Sequence, residues 1–358
     1  MDRIPPTMQA VVYRGANDLR LETVPVPFIG RNEMLVQVAA CGVCPTDIKK
    51  IAFGVVSPPR IFGHETSGTI VRLGAAVRRF KVGERMALHH HVPCLKCHAC
   101  RHHAFAQCAQ YKRTGITAGF EPAGGGYAEY VRVLPFVFPG LVRIPARNNF
   151  IEGAMLEPVN TVLKAIRRLS LLPGDNVLVA GQGPIGLLFT RLLSLSGANV
   201  AATDLLPFRL KFARRLGAKW TLHADKPDTR QHLEKGFGKQ GLDAAVICTP
   251  SDAAVLQAQE LIRGAGKILL FAHTRRGALT PLDLSSVCVD EKDLIGSYSS
   301  DFTLQAEVAR LVFSRKVDVR PLITHQFPLR QTQAAIDLAA HPTVDSLKII
   351  VGSGKIHA

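Results

Sequence analysis

The chain has 358 residues and a formal charge of +16, from 44 lysines and arginines against 28 aspartates and glutamates. Its length is about twice that of an ordinary domain and predicts two domains, each able to bury its own core. The charge is spread along the chain, 18 basic to 12 acidic residues over 159–296 and 26 to 16 elsewhere, which argues against a nucleic-acid partner. No run of eighteen uncharged apolar residues occurs, and the opening MDRIPPTMQA lacks the apolar core of a signal peptide, so no membrane partner and a cytoplasmic location are expected.

To about residue 155 the chain reads as short strands broken by Gly and Pro: QAVVYRG, LRLETVPVP, MLVQVAACGV, TSGTIVRLG, ERMALHHHV and YAEYVRV. Short length and β-branched content predict an irregular β domain.

After residue 160 the rhythm changes. Apolar strands alternate with helix-length segments: NVLVAG, PIGLLFTRLLSLSG, NVAATD, LLPFRLKFARRLG, WTLHAD, LDAAVICTP, AAVLQAQELIRG, GKILLFAH and DLIGSY. This is the pattern of βαβ units in a doubly wound parallel sheet, whose strands are apolar throughout because helices cover both faces. The tail adds a helix, DFTLQAEVARLVFSRK, and a strand, SLKIIVG, expected to return to the first domain. The predicted fold class is α/β, with one domain over 1–158 and 297–358 and the other over 159–296.

Eight cysteines in a reducing compartment are better metal ligands than disulfides. Cys94, Cys97, Cys100 and Cys108 lie within fifteen residues, in a lobe at about 89–112. Four thiolates fill a tetrahedral zinc and leave no open position, so this ion is expected to be structural. The nearby His89, His90, His91, His98, His102 and His103 are expected to be mostly solvated, and Cys41, Cys248 and Cys288 to be small buried hydrophobes.

The sequence GQGPIG places Gly181, Gly183, Pro184, Ile185 and Gly186 after a strand and at the start of a helix. There the first glycine permits a tight turn, the second lets backbone approach a pyrophosphate and the third lets helix pack on strand, with the helix N-terminus facing the phosphates. Asp204, eighteen residues beyond Gly186, can accept hydrogen bonds from an adenosine ribose and favours NAD over NADP. Arg209 is close enough to leave dual use open.

A further set comprises Cys44 in CGVCPTD, His64 and Glu65 in FGHET, and Glu157 in MLEPVN. Each alone is weak. Together with the four-cysteine lobe, GQGPIG and ATD, in this order, they resemble the zinc-dependent medium-chain dehydrogenases/reductases over essentially the whole chain. Within that superfamily the chain is most similar to sorbitol (L-iditol 2-) dehydrogenase-like polyol dehydrogenases, because Glu157 stands where other alcohol dehydrogenases have a cysteine.

The resemblance implies a GroES-like catalytic domain, a Rossmann domain, and two zinc ions per chain. It makes Cys44, His64 and Glu65 ligands of a catalytic zinc, with Glu157 bound or acting through water, and Thr46 the hydroxyl that relays the alcohol proton. It gives Asp47 an orienting role and Lys348 a contact to the cofactor pyrophosphate, although a solvated Lys348 is equally compatible with the sequence. Lys49 stands where many relatives have a histidine that completes the relay, and Pro45 cannot donate a backbone N–H. His325 is expected to be structural.

The expected activity is hydride transfer between a secondary alcohol, in a polyol, sugar alcohol or cyclitol, and NAD. Runners-up are L-threonine 3-dehydrogenase or simple secondary-alcohol chemistry, a zinc-free quinone or enone reductase, and a non-catalytic protein that senses NAD. A homodimer or homotetramer is the expected assembly. The pocket loops 50–59, 111–126 and 273–298 carry no readable code for the substrate.

Overall fold

The computed structural model describes residues 4–89, 92–110, 125–226, 229–272 and 277–352, without the side chains of 229, 230, 234 and 239. His90, His91, and the stretches 111–124 and 273–276 of the expected pocket loops lie outside the described residues. The chain forms two compact units, one of Met1–Asn160 with Ser300–Ala358 and one of Thr161–Ser299.

The first unit is built mainly from antiparallel strands, with one parallel pair, Ile323–Pro328 beside Lys348–Gly352. Strand Thr7–Gly15 forms a hairpin with Asp18–Pro25, turned through Asn17 at φ 57°, a left-handed conformation that Asn tolerates. The larger sheet centres on Met34–Gly42, paired with Glu65–Leu73 and Tyr130–Val133. Lys348–Gly352 pairs antiparallel with Met34–Gly42 through Ile350 opposite Gly42 and Val351 opposite Cys41. The tail is therefore built into the first unit, and it lays Lys348 beside the segment leading to Cys44. One core joins Tyr13, Phe62 and Tyr127 to Ile336, Ile349 and Val351 of the tail.

The second unit is a six-stranded sheet in which every pairing is parallel. Numbered within this unit, its strands run 3-2-1-4-5-6, the doubly wound order of dinucleotide-binding folds. Strands Asn176–Ala180 and Leu242–Ile247 are buried at every residue, as their mostly apolar sequences favour, and the buried Asp243 carboxylate accepts from Asn176 N at 2.7 Å.

One boundary differs from the sequence reading. AAVLQAQELIRG reads as a single helix, but the helix ends at Leu261 and Ile262–Leu270 is strand. Ile262 already pairs with Leu242, and the register then slips so that Lys267 pairs with Ala244. Gly264 and Gly266 flank Ala265 at φ 58°, and a slip at such residues is the local kink of a bulge. Among the described residues no helix is long and apolar enough to cross a membrane.

Candidate active site

Cys44 is placed by the end of one strand and the start of a helix. Past Gly42, Val43 donates to Ile349 O at 3.0 Å, and Cys44 becomes the N-cap of helix Pro45–Phe53. Pro45 occupies the first helical position, where its missing N–H costs nothing. Thr46 follows, half-buried.

Glu65 opens the neighbouring strand Glu65–Leu73 and His64 immediately precedes it, after Gly63 at φ 96°. The sulfur of Cys44 and single ligand atoms of His64 and Glu65 all lie within 4.8 Å of one another. Glu157, buried on the first turn of helix Leu156–Leu169, is outside that set. One thiolate, one imidazole and one carboxylate suit zinc and leave a position open, so the donors fit the ion the sequence implies.

Behind the donors lies a buried polar layer. Asp47 Oδ1 is 3.1 Å from His64 Nδ1, which leaves Nε2 as the nitrogen for a metal. Burial opposes the charged form of His64, but the Asp47 and Cys44 charges more than offset it and hold its pKa well above the usual imidazole value. Burial likewise pushes the Asp47 carboxyl up, yet the charge and hydrogen bond of His64 leave it below the ordinary range. The single Tyr127 hydroxyl proton is shared between two acceptors, Gly42 O at 3.4 Å and Asp47 Oδ2 at 3.5 Å.

Lys348 is buried, donates to Val43 O at 2.7 Å and is ion-paired with Glu65 Oε2. Burial lowers its pKa, but the charges of Glu65 and Cys44 more than reverse this. A solvated Lys348 is thus excluded. Gly42 is required at this point, since a Cβ there would overlap the Glu65 carboxylate. Lys49 is half-buried, and desolvation pulls its pKa down against the charge of Cys44. His325 is half-buried, with Nδ1 3.0 Å from Thr324 Oγ1.

The sulfurs of Cys94, Cys97, Cys100 and Cys108 form the other donor cluster. Cys97 and Cys100 are 3.4 Å apart, Cys94 N donates to Cys108 Sγ at 3.4 Å, and Phe105 packs against the group. Backbone N–H groups of Lys96 and Cys97 favour the Cys94 thiolate and lower its pKa, while burial raises that of Cys100. Four convergent sulfurs with no histidine in the set fit a closed zinc site.

His98, His102 and His103 are exposed as expected, but His89 is fully buried because it immediately follows the strand Arg85–Leu88. Cys41 is buried, and burial pushes its thiol up to about 12. Cys248 is half-buried and Cys288 exposed. The expectation of a buried Cys288 fails because helix Leu284–Val289 buries none of its residues.

In the second unit Gly181 turns at φ 90°, donating to Thr203 O at 2.8 Å. Gly183 caps helix Pro184–Leu195, which begins with Pro184 and Ile185. A Cβ on Gly186 would strike Gly181 O, whereas one on Gly183 would meet nothing within 4 Å. The third glycine is thus needed for packing, and the open space at the second fits the close approach of a pyrophosphate.

Gln182, between them, is buried and turned inward, donating to Val179 O at 2.8 Å and accepting from Thr190 Oγ1 at 2.9 Å. Asp204 accepts from Gln182 N at 2.6 Å and from Leu206 N at 2.9 Å. Its Oδ2 is 3.9 Å from Arg209 Nη1. Sequence reasoning missed Tyr127, Gln182 and Thr190. Gln182 lies inside the glycine motif at a position the motif leaves open, Thr190 meets it from the following helix, and Tyr127 gains its partners only because the fold joins segments distant in sequence.

Comparison with known proteins agrees with this architecture. Residues 30–145 match the alcohol dehydrogenase GroES-like domain family and residues 184–314 the zinc-binding dehydrogenase family. A sorbitol dehydrogenase of Bacillus subtilis (strain 168) is 30% identical over 355 residues, covering 97% of this chain and 98% of the relative. An L-threonine 3-dehydrogenase of Bacillus velezensis is 29% identical over 343 residues, covering 92% and 95%. A solved structure described as a zinc-binding dehydrogenase of Sinorhizobium meliloti 1021, bound to NADP, superposes with a TM-score of 0.87 at 25% identity over 97% of this chain and 99% of that one. The chain belongs to the zinc-dependent medium-chain dehydrogenase/reductase superfamily, among its sorbitol-dehydrogenase-like alcohol and polyol dehydrogenases.

Proposed function

We propose that the protein interconverts a secondary alcohol and a ketone with NAD, the alcohol being part of a polyol, sugar alcohol or cyclitol. The observation that carries this reading is the convergence of Cys44, His64 and Glu65 in a chain 30% identical to a sorbitol dehydrogenase.

Cys44, His64 and Glu65 would hold a catalytic zinc, with Glu157 as the second carboxylate of the site, and the four-cysteine lobe a structural one. Zinc supplies the Lewis acidity that lowers the pKa of an alcohol, and nicotinamide supplies the hydride acceptor. The chain's own part is to take and pass on the proton. Thr46, two residues beyond Cys44, receives the alcohol proton on its hydroxyl and hands it toward solvent. Glu157 with a water, or direct exit to solvent, completes the transfer that a histidine serves in many relatives at the position of Lys49. Asp47 keeps His64 in the tautomer that presents Nε2.

Gly181, Gly183, Pro184, Ile185 and Gly186 cradle the pyrophosphate, and Asp204 accepts the ribose hydroxyls. The enzyme acts as a homodimer or homotetramer in the cytoplasm. Support for assembly comes from the edge strand Asp293–Gly296, where Leu294 is exposed, and from exposed Leu284 and Val289 before it.

The test is a screen of zinc-replete protein against stereochemically defined polyols and secondary alcohols, L-threonine included, following nicotinamide reduction. It uses NAD and NADP, since one relative is solved with NADP. Turnover of a polyol is expected. No turnover of any polyol would sink the reading, and turnover of L-threonine alone would replace it with the amino-alcohol chemistry of the 29%-identical relative.

A further inference from the structure

Two histidines of the four-cysteine lobe, outside its sulfur cluster, meet on one turn of helix. His98 is the first residue of helix His98–Arg101, between the N-cap Cys97 and the buried Cys100, and His102 is the C-cap. His102 N donates to His98 O at 3.3 Å, the bond that closes an α-helical turn. Side chains four residues apart on such a turn are neighbours. Both histidines are exposed.

Their rings lie with centroids 4.4 Å apart and planes inclined by 54°. Two imidazoles bound to one ion through nitrogens about 2.0–2.1 Å away have ring centres about 3.2 Å from it, hence about 4.5 Å apart at a right angle and about 5.2 Å apart at the tetrahedral angle. The pair is therefore spaced to share an ion with ligands at a right angle, and a small rotation of either exposed side chain opens it to the tetrahedral one. No aspartate or glutamate occurs from 85 to 120, so this stretch offers an ion imidazole nitrogens and no carboxylate. That donor set selects zinc, copper or nickel over calcium or magnesium. His103, by contrast, sits at φ 55° with its ring against Phe105, centroids 5.7 Å apart.

We propose that His98 and His102 hold a second ion on the lobe, an exchangeable divalent transition-metal ion whose coordination water completes, distinct from the ion enclosed by the four sulfurs. This outer ion ties the first residue of the helix to its C-cap. A helix of four residues is costly to nucleate, and this one carries Cys97 at its N-cap and Cys100 within it. The outer ion thereby staples two donors of the inner one in place. The staple, though not the pair itself, rests on reading the four sulfurs as a closed zinc site.

Calorimetric titration of the zinc-replete, gel-filtered protein with zinc tests the pair. Wild-type protein is expected to take up one further ion per chain at micromolar concentrations. His98→Gln and His102→Gln should each weaken that uptake by about tenfold or more, and His103→Gln should change it less than about threefold. No further ion in wild type overturns the proposal, as does a further ion that both pair variants bind as tightly as wild type, or a loss in His103→Gln equal to theirs. Iodoacetamide labelling of Cys97 and Cys100, read by mass spectrometry, tests the staple. Added zinc should slow labelling of wild type about threefold more than it slows labelling of His102→Gln, and equal slowing of the two overturns the staple. Rapid labelling of all four lobe cysteines in zinc-replete wild type refutes the four-sulfur reading itself.

Discussion

Lys348 ion-pairs with Glu65 inside the protein, joining the closing strand of the sheet to a donor of the candidate zinc site. Both side chains are buried, so each charge depends on the other. Lys348→Met leaves the Glu65 carboxylate buried beside the donors without its cation and is expected to cost about 3–5 kcal/mol. The double variant Lys348→Met/Glu65→Gln removes both charges and should recover much of that loss. Urea unfolding of the metal-free proteins measures both. A single variant as stable as wild type would mean that water reaches the pair and that Lys348 is free to meet a ligand.

Asp47 contributes through His64. Asp47→Asn keeps the volume and removes the charge that orients the imidazole at 3.1 Å. The zinc of the Cys44 cluster should then be captured by a chromogenic chelator with about 10–100-fold weaker competition from the protein. The four-cysteine zinc serves as an internal control, since Asp47 is not among its donors. Equal weakening of both metals would point to general unfolding. Tyr127→Phe removes only the long contacts of 3.4 and 3.5 Å and should act in the same direction by a smaller factor.

These two predictions show which parts of the site could be read locally. Cys94 to Cys108 and Gly181 to Gly186 each lie within a short stretch, so spacing alone brings their atoms together. The doubly wound parallel sheet of the second unit was equally legible, because apolar strands alternate there with helix-length segments. What escaped depends on pairing across the chain. Lys348 resembles a cofactor contact in sequence, and only the register of Ile350 opposite Gly42 puts it against Glu65. The acid ending the second strand was legible, but the bond of Asp204 to Gln182 N was not, since it follows from the turn at Gly181. The slip at Ala265 hid a strand start inside an apparent helix.

The four-cysteine lobe should matter for stability before chemistry. Cys100→Ser is expected to lower the zinc content from the proposed two to about one per chain and to reduce the unfolding temperature, because the lobe's small core consists of little besides its sulfurs and Phe105. The fraction that stays folded should keep its turnover number. Metal analysis and kinetics on the same gel-filtered sample decide this. A folded variant with normal stability and lost turnover would make the lobe part of the catalytic apparatus.

The glycine loop offers a contrast between two single-methyl changes. Gly183→Ala adds a Cβ into open space at an ordinary φ of −65°, so the metal-free, cofactor-free protein should unfold within a few tenths of a kcal/mol of wild type. On the proposed cofactor reading the same methyl stands in the path of the pyrophosphate, and NADH affinity should fall by about tenfold or more. Gly186→Ala places its Cβ against Gly181 O. The helix must shift from the strand, and an overpacking cost of about 1–3 kcal/mol is expected even without cofactor. Denaturant melts and NADH fluorescence titrations of the two variants separate the roles. If Gly183→Ala bound NADH as tightly as wild type while remaining folded, the pyrophosphate would have to lie away from this loop, and the cofactor assignment of the second unit would fall with it.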